Sequence, residues 1–451
     1  MELDIVGLVG GCSYALDCIE AEFVHVTNRH GKRVAYISVC MAERLGIEGS
    51  ALQDLAICAM LHDNALTQYI SEEIQENNIH HISLGGNMQG DKNTVVEDRG
   101  MFNESEDLIS ENGMAYSPEI IKSIAGSIHK KIGLHCTYGE QNIKKLPFYT
   151  DVSGVVLYHH ENADGTGTFG KRWDEIPLFA RIIHLCDMVD IMGNSCDFSG
   201  ESWIRAKEYV CRNRNILFDS ECADAFLEVF SEENFVSMSQ DRFEDELWKK
   251  IPRDKRDCDF ETCKGIADFF AGIVDYKSEF TGKHSLGVAK KAAELAEYMG
   301  YSQADIEKFY MAGALHDIGK MAIGNEILEK PGRLTDEEFS RMKNHAGYTY
   351  MILSEVKDFD EVRDWAALHH EKLDGTGYPF GKKAEELNEP ERLMACVDIY
   401  QALTEARPYK SGMSHDKACS ILEDMVQKGW IDAAVTDKLR SCFDVGGRDM
   451  V

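Results

Sequence analysis

The apolar positions of this chain recur at helical spacing. After His284 they fall at Val288, Ala292, Leu295, Ala296 and Met299, and after His30 at Val34, Ile37, Met41 and Leu45. Each set forms a stripe along one face of a helix. The segments FYMAGALHDIG and LAICAMLHDN read as apolar helices that end on a His-Asp dyad. Stretches rich in Ala, Leu, Glu, Lys and Met, with 8 prolines against 37 glycines, favour helices as well. The expected fold class is all-α, built from helical bundles.

The pattern occurs twice. The second half runs His284, His316-Asp317, His345, His369-His370 and Asp398; the first runs His30, His62-Asp63, His135, His159-His160 and Asp187. The first gap is 32 residues in both, and the isolated histidine precedes the His-His pair by 24 in both. HHEKLDGTGYPFG matches HHENADGTGTFG, Arg392 and Arg181 each lie six residues before the last Asp, and Ser411-Gly412 and Ser199-Gly200 each open a helix-like segment. One gap differs: His62 to His135 spans 73 residues where His316 to His345 spans 29. The excess, near 67–125, is polar, acidic and Gly-rich, and reads as a surface insertion. Seven ligand-type residues recurring in order point to a tandem duplication. The expected domains are 1–245, carrying the insertion, and 259–451. The join falls between 235 and 258, where WKKIPRDKRDCD breaks the helical pattern.

Composition narrows the classes. A chain of 451 residues is long for one core. No 18-residue apolar run suggests a membrane span, and the amino terminus is acidic where a signal peptide would be basic. Fourteen cysteines without a CxxC pair read as reduced thiols of a cytoplasmic protein. A net charge of −30 argues against a long nucleic-acid partner. A small anionic substrate stays open, because a pocket with two divalent cations is locally positive. Whether the chain forms a homodimer or meets a signalling partner stays open too.

Histidine and carboxylate are ligands for Fe, Mn, Zn and Co. Seven exceed one tetrahedral site and suit two metals about 3.5–4 Å apart. His284, His316, Asp317 and Asp398 would hold one metal, and Asp317 would bridge to another on His345, His369 and His370. An isolated histidine is more often a satisfied core or surface residue, the reading taken for His80, His81, His129 and His184, which have no counterparts. That explanation would have to hold for five histidines at once, each repeated in the other half.

HDIGK at 316–320, HHEKLDGTGYP at 369–379 and VDIYQALTEARPYK at 397–410 resemble the signature of the HD-GYP family of the HD superfamily, across essentially all of 259–451. The resemblance implies an all-α fold, a di- or trinuclear iron or manganese centre, and hydrolysis of cyclic di-GMP or cyclic GMP-AMP. By position, Lys320 would contact a substrate phosphate and protonate the leaving oxygen, and Arg407 and Lys410 would bind phosphate. Lys320 lies three residues after Asp317, on the same side if the helix persists, and Arg407 offers a bidentate fork. Gly375 and Gly377 would permit a tight turn, and Tyr378-Pro379 a rigid loop that meets a base. Asp317 and Lys320 are the catalytic candidates; Lys320, Arg407, Lys410, Gly377 and Tyr378 are the substrate candidates. Family members often carry Asp where this chain has Gln401. Trinuclear members carry an acid four residues before the first histidine; here that position is Phe280, beside Glu279, so two metals are expected.

The first half keeps every ligand, His30, His62, Asp63, His135, His159, His160 and Asp187, and so a second dinuclear site is expected there. It lacks the substrate groups: Leu66 replaces Lys320, Thr168-Phe169 replaces Tyr378-Pro379, and NSCDFS offers no base. The favoured reading is a metal-binding regulatory copy. A hydrolase for another phosphate and a di-iron redox or oxygen-sensing centre are the alternatives. For the whole chain the expectation is a cyclic-dinucleotide phosphodiesterase. The competing functions are a non-catalytic cyclic-dinucleotide receptor and a broader HD-type nucleotidase or phosphatase.

Overall fold

The computed structural model describes residues 1–23, 29–65, 132–194, 198–240, 242–277, 284–328, 330, 332–406 and 412–444. The insertion near 67–125, and with it Leu66, lies outside them, as do Phe280, Arg407 and Lys410.

The chain is all-α, with two series of helices in the same order. The first is α1 (Ile5–Phe23), α2 (His30–Ala42), α3 (Gly49–Met60), α4 (132–143), α5 (Leu178–Asn194), α6 (Gly200–Arg212) and α7 (Ser220–Val229). Two short helices follow, α8 (Glu232–Ser237) and α9 (Arg242–Lys250). The second series is α10 (Phe260–Lys277), α11 (His284–Tyr298), α12 (Gln303–Leu315), α13 (Asn325–Leu328), α14 (Asp336–Ser354), α15 (Asp360–Ala367), α16 (Glu389–Thr404), α17 (His415–Gln427) and α18 (Ala433–Phe443). The helical pattern breaks only after Lys250, later than the start of the expected 235–258 window.

Local sequence explains the helix starts. Ser302 and Asp432 accept backbone N–H groups at the heads of α12 and α18, while Thr335 with Glu338 and Asn388 with Glu391 form capping boxes on α14 and α16. Ser199 caps α6, as its Ser-Gly pair suggests. The counterpart helix starts at His415 after Ser414, slightly beyond Ser411-Gly412. The predicted stripes face inward: Val288, Ala292, Leu295, Ala296, Val34, Ile37 and Met41 are fully buried. α11 and α12 cross at Gly313, where an added Cβ would come within 2.6 Å of the Ala289 Cα.

The two series meet through the same patch on each. Glu2 and Leu3 pair antiparallel with Asp257 and Arg256, and Glu2-Leu3 hold in the first series the place of Arg256-Asp257 in the second. Gly11 of α1 rests on the Ile352 carbonyl, and its counterpart Gly265 of α10 rests on the Lys145 carbonyl. Arg253 bonds Asp4 and the Glu355 carbonyl, and Arg256 lies 3.6 Å from the centre of the Tyr149 ring. This reciprocity is the pattern of an isologous two-fold interface, here within one chain. No helix among the described residues is long and apolar enough to cross a membrane.

Candidate metal centre

In the second series the ligand residues arrive on three helices and two turns that directly follow helices. His284 opens α11; His316-Asp317 follow α12 directly and lead into a 3₁₀ turn over Ile318–Ala322. His345 sits in α14, His369-His370 follow α15, and Asp398 sits in α16. Gly319 lets the turn approach α14, since a Cβ there would lie 2.0 Å from the His345 carbonyl. Thr349 completes the junction: its hydroxyl donates to the His316 carbonyl and accepts from the Gly319 N–H.

All seven residues come together. Ligand atoms of His284, His316 and Asp398 lie within 4.8 Å of one another, as do those of His316, Asp317 and His369, and of His345, His369 and His370. His345 Nε2 is 3.5 Å from Asp317 Oδ1. The ring orientations are fixed. Nδ1 of His316, His345 and His369 bonds the carbonyl three residues earlier, at 2.7, 2.7 and 2.6 Å, which turns each Nε2 toward the carboxylates. His284 Nδ1 bonds Glu405 at 3.1 Å instead, and its Nε2 meets Asp398 at 3.0 Å.

These donors fit a cationic group. Asp317 Oδ1 is buried without a hydrogen-bond partner among the described residues, a costly state for a carboxylate oxygen. Burial lowers His345 to about 3 and holds His369 well below the usual range, so both are neutral, the form that binds metal. Burial would raise Asp317, but His316 and Lys320 outweigh it and keep the acid ionised. Burial also opposes charge on His284, yet Asp398 and Glu405 drive it up to about 10; the carboxylates there call for a positive charge between them.

Lys320 donates to Asp317 Oδ2 at 2.6 Å, so its ammonium does lie on the ligand side. The Tyr378 ring stands 4.7 Å from that of His370 and 6.2 Å from that of His345. Its loop needs Gly377, where a Cβ would fall 2.3 Å from the Lys372 nitrogen, and Gly375, with φ of 79°.

The first series repeats the arrangement. Asp63, His135, His159 and His160 bring ligand atoms within 4.8 Å, as do His30, His62 and Asp63. Asp187 lies 3.3 Å from His30 Nε2. His159 Nε2 is buried without a hydrogen-bond partner among the described residues and lies 3.5 Å from Asp63 Oδ1, a spacing that leaves room for a shared cation. His184, buried against Phe218, has no partner for either ring nitrogen among the described residues and has Ala395 as its counterpart.

A model of the family described as HD domain matches residues 126–200 and 268–435. The chain belongs to the HD domain family. Among curated HD relatives, the 3'3'-cGAMP-specific phosphodiesterase 1 of Vibrio cholerae is 30% identical over 340 residues, covering 73% of this chain and 78% of the relative. A cyclic di-GMP phosphodiesterase of Pseudomonas aeruginosa is 39% identical over 141 residues, 31% of this chain and 34% of that one. The fold matches the crystal structure of a cyclic GMP-AMP specific phosphodiesterase of V. cholerae with a TM-score of 0.64, over 99% of both chains at 22% identity.

Sequence reasoning missed several HD site residues. Glu371, buried after the His-His pair, accepts the N–H groups of Phe380, Gly381 and Lys382 at 2.7, 3.0 and 3.0 Å and buckles the Tyr378 loop. Glu161 does the same for Phe169 and Lys171, both at 2.6 Å. The signal was present, since the quoted repeats share His-His-Glu. Replacing Glu371 by Ala orphans three N–H groups, each worth about 1–3 kcal/mol if left buried. The expected result is a lower melting temperature in calorimetry and a raised KM, through misplacement of Tyr378. Lys343 was also missed; it stands over the Tyr378 ring at 5.9 Å, and its counterpart is Gly133.

Proposed function

We propose that this chain is a metal-dependent phosphodiesterase that opens a cyclic dinucleotide, cyclic di-GMP or cyclic GMP-AMP, to a linear product. The chemistry belongs to the second copy. The observation that carries the reading is the buried Asp317, with His316 beside one oxygen, His345 near the other, and Lys320 bonded to it. Relatives named for one or the other of these cyclic dinucleotides support the substrate class.

His284, His316, Asp317 and Asp398 would hold one divalent ion, and His345, His369 and His370 with Asp317 would hold the other; iron or manganese would suit this donor set. When bound, such ions lower the pKa of water and neutralise charge on phosphoryl oxygens. The chain's own groups do the rest. Lys320, held beside Asp317, binds a phosphate oxygen and passes a proton to the departing sugar oxygen. Tyr378 offers a ring face to a base, and Lys343 above it adds positive charge at the mouth. Arg407 and Lys410 clamp the second phosphate. In the first copy His30, His62, Asp63, His135, His159, His160 and Asp187 would hold a second pair of ions. Without Lys320 and Lys343 equivalents it would bind metal without cutting, and its role would be to regulate the second copy.

The test is to incubate Mn- or Fe(II)-loaded protein with each cyclic dinucleotide and follow products by chromatography. Linear dinucleotide is expected. Tight binding without turnover of either compound would overturn the enzyme reading in favour of a receptor.

A further inference from the structure

Four of the five histidines of the second centre are anchored at Nδ1, in two ways. Three of them bond a carbonyl one turn back, as described above. His284 has no such carbonyl within a helix, because it is the first residue of α11. The same holds for His30 at the head of α2.

In the first copy the anchor is Asp190. Its Oδ2 accepts from His30 Nδ1 at 2.7 Å, and Arg33 grips the same carboxylate with two bonds of 2.6 and 2.9 Å. Asp190 is fully buried, three residues after Asp187 on α5. The second copy has lost both members of this pair. Gln401 stands at the place of Asp190 and Gly287 at that of Arg33. The losses are matched in space: a Cβ on Gly287 would fall 2.1 Å from Gln401 Nε2, so the amide fills the volume left by the arginine.

Glu405 occupies the C-cap of α16, one turn beyond Gln401. An acid at a helix C-terminus opposes the helix dipole, an unfavourable place without a local reason. Its side chain is 13% exposed and reaches back to His284 Nδ1 at 3.1 Å. We propose that Glu405 is the positioning residue that orients His284 toward the metal in the second copy, performing the task of the Asp190–Arg33 pair in the first. Donation of Nδ1–H to a carboxylate fixes the tautomer, leaves Nε2 free as ligand and raises its basicity. This rests on the metal-centre reading of Proposed function.

The test is Mn titration by calorimetry, run on the Asp63→Ala protein so that the second centre dominates. Glu405→Gln keeps the shape and removes the charge. The expected result is a loss of about 10–100-fold in Mn affinity, with kcat largely restored at saturating Mn because Glu405 does not touch substrate. Moving the carboxylate back, in Glu405→Gln with Gln401→Asp and Gly287→Arg together, should recover the affinity. Unchanged Mn affinity in Glu405→Gln would overturn the proposal, as would a folded triple variant that gains nothing. Failure of the phosphodiesterase reading would appear differently, as absent turnover in the unaltered protein with the affinity differences intact.

Discussion

Asp317→Ala is expected to abolish hydrolysis and to strip most metal from the second centre. Asp317 is 2% exposed, and its two oxygens face different neighbours: Oδ1 lies 3.5 Å from His345, while Oδ2 lies 3.1 Å from His316 and 2.6 Å from Lys320. Removing it leaves Asp398, which faces His284, His316 and His370, as the remaining carboxylate of the ligand set, and takes away the one beside His345. Losing both the activated water and the charge neutralisation should cost at least about 10³-fold in rate, since a single preorganised donor is already worth 10²–10³. Elemental analysis of the purified variant should show fewer ions per chain than the unaltered protein. A variant that kept its metal content would refute the shared-ligand assignment.

Lys320→Ala should behave differently: a fall of about 10²–10⁴-fold in kcat with metal content unchanged. The ammonium is bonded to Asp317 Oδ2, and its side chain keeps 22% exposure toward the open side of the centre. That is the position of a group that meets substrate beside the ligand carboxylate. Steady-state kinetics alongside metal analysis separate this from a structural loss. Full rate in Lys320→Ala would remove it from the mechanism.

Much of this site was legible in the sequence, for a physical reason. Metal ligation admits few residue types, so His284, His316, Asp317, His345, His369, His370 and Asp398 stand out, and their recurrence in the first half made coincidence untenable. The helices were legible because their buried faces repeat at helical spacing. What remained hidden depends on backbone groups and on contacts between distant segments. Glu371 works by collecting main-chain N–H groups, so only its recurrence as Glu161, and nothing in its type, separates it from a surface acid. Glu405 makes sense only once His284 is seen to head a helix and Gln401 to fill the space beside Gly287. The reciprocal contacts of Gly11 and Gly265 join segments hundreds of residues apart, through carbonyls that any sequence supplies.

The central claim is that two related centres share one chain and only the second cuts. It is tested most directly by the initial rate of linear-dinucleotide formation, measured side by side on Mn-loaded Asp63→Ala and Asp317→Ala proteins. Measurable cleavage by the Asp63→Ala protein and none by the Asp317→Ala protein is the predicted result. Cleavage that survived in Asp317→Ala and vanished in Asp63→Ala would place the chemistry in the first copy and contradict the account.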